Sequence, residues 1–297
     1  MRIVRDWRGL AAGDRGAAVA LGNFDGVHRG HQAVIDEARR AAKTSWRETP
    51  VGVVTFDPHP RRYFQPDAAP FRLMTAAQQS RALEALGVDI LYSLSFDQAM
   101  VAMSAETFAR EVLVKGLGVV HVTAGFDFTF GAKRSGDAGT LQALGERLGF
   151  GVTIVAPLGD ETGFKVSSTA VRQALEQGHP ERAAELLGRP FAIEGVVERG
   201  RQLGRYLRPR LGVYATRSRL ADGRIVKGVA NLGRNPAAGL VEPRLEVWLF
   251  DFDEDLYGQT IETELVAFQR PERDFDGLEA LTAQVMADAD EARAILA

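Results

Sequence analysis

The segment Gly22-Asn23-Phe24-Asp25-Gly26-Val27-His28-Arg29-Gly30-His31 holds the residues of this chain whose types and spacing best suit chemistry. It sets two imidazoles three positions apart among glycines at 22, 26 and 30. A glycine carries no Cβ, so a ligand can come close to the backbone there. The run before it, Val19–Asn23, reads as a strand, and Gly30–Ala42 has the pattern of a helix. A helix start presents unpaired N–H groups and positive partial charge, which suit phosphate. Two histidines at such a start can both reach one ligand. Phosphoryl chemistry asks for donors placed where charge develops on the oxygens rather than for covalent help. The plain alternative is a strand–turn–helix with two exposed histidines. The agreement of glycines, strand and helix favours a site. A zinc centre is a weaker alternative, because no third ligand of the usual spacing follows.

Three further clusters follow apolar runs. Thr55-Phe56-Asp57-Pro58-His59-Pro60 leaves the second run, and its prolines fix the chain. In Gly125-Phe126-Asp127-Phe128-Thr129-Phe130-Gly131 the phenylalanines alternate, which fits a core as well as the flanks of a flat ring. The polar stretch Lys133–Asp137 comes next, within reach of phosphate contact by Lys133 or Arg134. Ser167-Ser168-Thr169 opens a short helix with Arg172 one turn in. Such hydroxyls are ordinary helix caps, and they can equally donate to phosphate oxygens.

The elements that must position these clusters alternate in kind. Strands are predicted at Val19–Asn23, Val51–Phe56, Ile90–Leu94, Val119–Ala124 and Val152–Val155. Helices fall between them at Gly30–Ala42, Ala76–Leu86, Ala105–Lys115 and Ala138–Leu148. This predicts an α/β fold, a doubly wound parallel sheet of Rossmann-like type, which binds ligands at the C-terminal ends of its strands. Short helices at Thr169–Glu176 and Glu181–Leu187 close the region. From Phe191 the pattern changes to β-type runs, Phe191–Glu198, Gly212–Ser218, Ile225–Asn231, Arg244–Phe252 and Thr260–Phe268, with a final helix over Gly277–Leu296. A small antiparallel β-barrel with a C-terminal helix is expected. The boundary is placed near Gly188, giving domains 1–187 and 188–297. A chain of 297 residues is long enough for two cores. The net charge of -3 does not indicate a nucleic-acid surface. With no cysteine, disulfides, thiolate metal sites and cysteine nucleophiles are excluded. No apolar run is long enough for a membrane span. A cytoplasmic enzyme with no membrane or nucleic-acid partner, and at most weak self-association, is expected.

His28-Arg29-Gly30-His31 resembles the His-x-Gly-His signature of the nucleotidyltransferase superfamily. The longer Gly22–His31 segment is similar to that of the prokaryotic bifunctional riboflavin kinase/FMN adenylyltransferase family. The resemblance implies adenylyl transfer from ATP to FMN, giving FAD, with His28 and His31 catalytic. It implies ATP and phosphate contacts for Gly22, Asn23, Phe24, Asp25 and Gly30. Ser167, Ser168, Thr169 and Arg172 resemble the family's Ser-Ser-Thr-x-x-Arg element, which holds the ATP triphosphate. Flavin contacts are implied for Phe56, Pro58, His59, Phe126, Asp127, Phe128 and Phe130. All these motifs lie no further along the chain than Arg172, so residues 1–187 are expected to make FAD without the barrel.

The likeness continues through Gly188-Arg189-Pro190-Phe191, Gly228–Gly233, Asp255–Gly258 and Arg270–Phe275. It implies a riboflavin kinase with Glu246 as base toward the riboflavin 5′-hydroxyl, Arg270 at the flavin, and Mg²⁺ with ATP. One departure stands out. After Gly204 the family carries Phe-Pro-Thr-Ala-Asn, whose Thr and Asn hold Mg²⁺ and ATP phosphates; here Arg205-Tyr206 follows directly. A second departure is Asn235-Pro236-Ala237, where the family often has Thr after the proline. The surrounding kinase motifs are intact, so the kinase assignment is kept. Two other readings stay open: a nucleotidyltransferase for another phosphorylated acceptor, and a flavin-binding or sensing protein with a degenerate kinase module.

Overall fold

The computed structural model describes residues 1–44, 48–159, 163–198, 207–235 and 240–297. The chain groups into two compact units. The first is Met1–Ala68 with Gln79–Val166, and the second is Ala69–Gln78 with Ser167–Ala297.

The first unit is built on six parallel strands, β1 (Arg2–Val4), β2 (Ala18–Leu21), β3 (Val51–Asp57), β4 (Ile90–Ser95), β5 (His121–Gly125) and β6 (Gly151–Val155). Their order is β1-β4-β3-β2-β5-β6. β2 is an unbroken buried run, as a strand covered on both faces should be. Helix α1 (Arg29–Thr44) follows β2 and buries Val34, Ile35, Ala38 and Ala42, a stripe at helical spacing. Next come α2 (Pro60–Phe64), α3 (Ala76–Ala85, which continues across the boundary between the two units), α4 (Gln98–Ala102), α5 (Ala105–Thr107) and α6 (Ala138–Leu148). The chain after α5 widens into π-type turns over Phe108–Leu117 in place of the expected regular helix. Those turns bury Phe108, Val112, Leu113 and Leu117, and at Gly116 a Cβ would come within 2.8 Å of the Trp7 carbonyl oxygen. β1 was not expected from the sequence. It is a three-residue edge strand beside β4, too short to show a period.

The second unit carries five antiparallel strands, β7 (Phe191–Val196), β8 (Gly212–Arg219), β9 (Ile225–Asn235), β10 (Leu240–Leu249) and β11 (Thr260–Arg270), in the order β10-β9-β8-β11-β7. They curl into a half-barrel; among the described residues its edges, β10 and β7, do not pair. Helices α7 (Ser168–Gln177), α8 (Pro180–Leu187) and α9 (Leu278–Ile295) belong to the same unit. Val213, Ala215, Val229 and Phe250 pack with Ala289 and Ala292 of α9. Residues 69–78 are fastened to the sheet by side chains. Thr75 donates to Glu194 at 2.8 Å, and Gln78 Nε2 donates to the Ala192 carbonyl at 3.1 Å and to Glu262 at 2.7 Å. The Leu207 N–H donates to the Arg72 carbonyl at 2.8 Å, and the Arg210 N–H to that of Leu175 at 2.9 Å. The departures read after Gly204, at Arg205-Tyr206, and at Pro236-Ala237 lie outside the described residues.

Candidate functional site

β3, β2 and β5 are neighbours and run parallel, so the loops leaving their C-terminal ends open on one edge of the sheet. Strand order reverses at β2: β3 and β4 lie to one side, β5 and β6 to the other. Such a reversal leaves a crevice between oppositely running connections, and ligands of open α/β sheets bind there. The Gly22–His28 loop leaves β2 at that point.

His28 ends the loop and caps α1. Its Nδ1 accepts the His31 backbone N–H at 3.2 Å, which satisfies one of the helix's unpaired donors. An accepting Nδ1 carries a lone pair, so the neutral ring holds its proton on Nε2. The His31 ring stacks on His28 at 3.6 Å with 18° between the planes, and Phe24 lies 5.0 Å from His31. His28 is 6% exposed. The cap and the stack together restrict its rotation. Gly30 makes the room, since a Cβ there would stand 3.1 Å from both Cε1 and Nδ1 of His28 and 3.3 Å from the Val166 carbonyl oxygen. Gly22 does the same for Phe24, whose ring would lie 3.3 Å from an added Cβ.

The loop backbone is left-handed at Phe24 (φ +50°), Gly26 (φ +89°) and Val27 (φ +43°). For Phe, and more so for a β-branched Val, such a conformation is costly and persists only when its surroundings over-determine it. The surroundings are specific. Gly22 N–H donates to the Val54 carbonyl at 3.1 Å, and the Thr55 hydroxyl donates to that of Asn23 at 3.1 Å. Gln32 Nε2 holds the Val27 carbonyl at 3.0 Å. Gln79 Nε2 holds those of Asn23 and Phe24, each at 3.1 Å. Asp25 is buried and Asn23 exposed. Gln32 and Gln79 are missed by sequence reading, because a lone helix glutamine carries no spacing signal.

The two flanking loops divide their aromatic residues. Phe56 is half-buried, 5.6 Å from the Phe96 ring and 6.2 Å from Phe108, on the core side. Pro58 follows through a cis peptide bond, and His59 caps α2 by accepting the Arg61 N–H at 3.1 Å. In the β5 loop Phe130 is buried and Phe128 stacks on it at 5.5 Å. Phe126 is exposed, with Lys165 Nζ 4.6 Å above its ring, and Lys165 also pairs with Asp127. Lys133 and Arg134 are exposed.

In the second unit Ser167 caps α7 by accepting the Ala170 N–H at 3.2 Å, and Ser168 and Thr169 form the first turn. Arg172 Nε donates to the Phe71 carbonyl at 2.7 Å, with its guanidinium 5.4 Å from the Phe71 ring. Glu246 is an exposed residue of β10 opposite Asn231 of β9. At Gly233 a Cβ would fall 2.1 Å from Glu272 Oε1 and 2.7 Å from Asn231 Nδ2, so this glycine lets two polar side chains converge on the strand. Arg270, for which the resemblance implies flavin contact, is anchored to the last helix. Its Nε and Nη2 grip both oxygens of the buried Asp288 on α9 at 2.9 and 2.6 Å. This two-point geometry is the strong form of a charge-assisted pair.

A phosphate-suited loop at the switch point of a parallel sheet, followed by a curled antiparallel unit with an exposed carboxylate, defines a two-part transferase. A FAD synthetase family model matches residues 11–170, and a riboflavin kinase family model matches residues 187–296. A bifunctional riboflavin kinase/FMN adenylyltransferase of Pseudomonas fluorescens is 41% identical, covering 100% of this chain and 98% of its own. The enzyme of the same description from Escherichia coli K12 is 38% identical over 99% and 97%. A crystal structure from Streptococcus pneumoniae described as a macrolide-efflux protein is 30% identical, covers 98% of both chains and superposes with a TM-score of 0.85. Among the described residues of the present chain no helix is long and apolar enough to cross a membrane. The chain belongs to the bifunctional riboflavin kinase/FMN adenylyltransferase family. The Pseudomonas alignment runs over 310 positions against 297 residues, so at least 13 positions of it have no residue here.

Proposed function

We propose that residues 1–187 carry the centre at which FMN receives the adenylyl group of ATP. An FMN phosphate oxygen attacks the α-phosphorus in line, the bond to the bridging oxygen of the β-phosphate breaks, and pyrophosphate leaves with the electron pair. His28 and His31 donate to the phosphate oxygens as charge moves across them. The observation that carries this reading is the capped and stacked imidazole pair at the start of α1. Gly22, Asn23, Phe24, Asp25 and Gly30 cradle the nucleotide, and Ser167, Ser168, Thr169 and Arg172 take its triphosphate. Phe56, Pro58, His59, Phe126, Asp127, Phe128 and Phe130 frame the flavin, the exposed Phe126 by direct contact and the half-buried Phe56 and Phe128 and buried Phe130 from behind. Lys165 would release Asp127 when the flavin enters.

Residues 188–297 phosphorylate riboflavin, with Glu246 taking the 5′-hydroxyl proton as the oxygen attacks the γ-phosphorus and ADP departs. ATP enters as its magnesium complex. Among the described residues no three His, Asp or Glu side chains cluster closely enough to hold a metal ion. The cytoplasm, as the source of ATP, is the proposed compartment. The test is chromatography of product from FMN, ATP and Mg²⁺. His28→Ala or His31→Ala should each lower kcat by roughly 2–4 kcal/mol of barrier, as loss of a preorganised donor does. Unchanged FAD synthesis in either variant refutes the assignment.

A further inference from the structure

We infer that Gln79 is a positioning residue for adenylyl transfer: it keeps the carbonyls of the nucleotide loop turned into the protein, away from the polyphosphate. The inference rests on the adenylyltransferase reading above. Gln79 sits on α3, 6% exposed, and spends its amide nitrogen on two successive carbonyls, those of Asn23 and Phe24, each at 3.1 Å. Each carbonyl has a second donor. Asn23 also accepts from the Thr55 hydroxyl at 3.1 Å, and Phe24 from the Val27 N–H at 3.2 Å. Both lone pairs of each oxygen are thereby engaged.

The placement matters because of where the loop leads. Phe24 and Val27 are left-handed, and four residues beyond Phe24 stands the capped ring of His28. A left-handed non-glycine residue returns to its ordinary region once its restraints go. Without Gln79 the Asn23 and Phe24 carbonyls each lose one of their two donors, and either oxygen is free to turn toward the bound nucleotide. An oxygen there repels phosphate, and Phe24 would draw away from His31, whose ring it touches. Gln79 suits the task because an amide nitrogen has two hydrogens and fits between two acceptors. A lysine ammonium has three donors and no acceptor, so it can replace the amide, whereas leucine and glutamate cannot.

The experiment uses the full chain with Gln79→Leu, Gln79→Glu and Gln79→Lys, measuring kcat and KM for ATP and for FMN together with the unfolding midpoint. The expected result is a loss of about 10–100-fold in kcat/KM for ATP in Gln79→Leu and Gln79→Glu, the scale of a small misplacement. The KM for FMN should change far less, and Gln79→Lys should recover activity to within about threefold of the unaltered chain. If Gln79→Leu does not fold, the near-isosteric Gln79→Glu supplies the comparison. Unaltered activity in Gln79→Leu overturns the inference. So does a Gln79→Lys protein as slow as Gln79→Leu, or a loss that follows the unfolding midpoint and affects both substrates alike. Absence of FAD synthesis in the unaltered chain would instead refute the adenylyltransferase reading itself.

Discussion

Gly30→Ala separates the stability of the imidazole site from its activity. The added methyl would lie 3.1 Å from Cε1 and Nδ1 of His28 and 3.3 Å from the Val166 carbonyl oxygen, so the ring, the backbone or both must give by a few tenths of an ångström. Replacing a helical glycine by alanine gains up to about 1 kcal/mol. Weakening the cap that His28 makes to the His31 N–H costs about 1 kcal/mol. The two nearly cancel, so the unfolding midpoint should move by no more than about 2–4 °C. Activity has no such compensation. A ring pushed off its 3.6 Å stack no longer presents its donor where charge develops. A shift of this size should cost about tenfold in kcat, equivalent to about 1.4 kcal/mol of barrier. FAD formation at saturating ATP and FMN gives kcat, and a thermal melt of the same sample gives the midpoint. A variant that melts normally and turns over at the unaltered rate refutes the claim that the His28 position sets the rate. One that melts much lower shows that the glycine serves packing instead.

Two more outcomes are expected. Asp288→Asn should lower the stability of the second unit by about 3 kcal/mol, because it strands a half-buried guanidinium; urea unfolding followed by Trp248 fluorescence measures it, and an unchanged midpoint would mean the pair does not hold α9. Inserting Phe-Pro-Thr-Ala-Asn after Gly204 should raise riboflavin kinase activity by about a hundredfold, the scale of a restored phosphate-orienting group. Glu246→Gln in that protein should abolish FMN formation while FAD formation from added FMN persists, and joint loss of both would make Glu246 structural.

Much of the architecture was legible because its signals are local. α6 runs over Ala138–Leu148 as the pattern predicts, between the capping Asp137 and the left-handed Gly149 (φ +83°). The pairing of His28 with His31 at a helix start was legible because their types and spacing sit in one short segment. The alternation of Phe126, Phe128 and Phe130 was ambiguous in principle, since a buried ring and a ligand-facing ring leave the same trace; only packing shows that Phe126 is the exposed one. Partners distant in sequence were invisible. Nothing near Gln79 marks it for a loop 55 positions away, and nothing near Arg270 names Asp288 as its counter-ion, 18 positions on.

The fastening of residues 69–78 to the half-barrel also bears on how such a chain can change over generations. Thr75 and Gln78 answer to Glu194, Glu262 and the Ala192 carbonyl, and the end of α7 answers to Arg210. A kinase half borrowed from another lineage by recombination at residue 187 would arrive without the 69–78 segment it was selected against. Positions 75 and 78 should therefore drift in step with 194 and 262, and the two activities should be inherited as one piece rather than traded as separate parts.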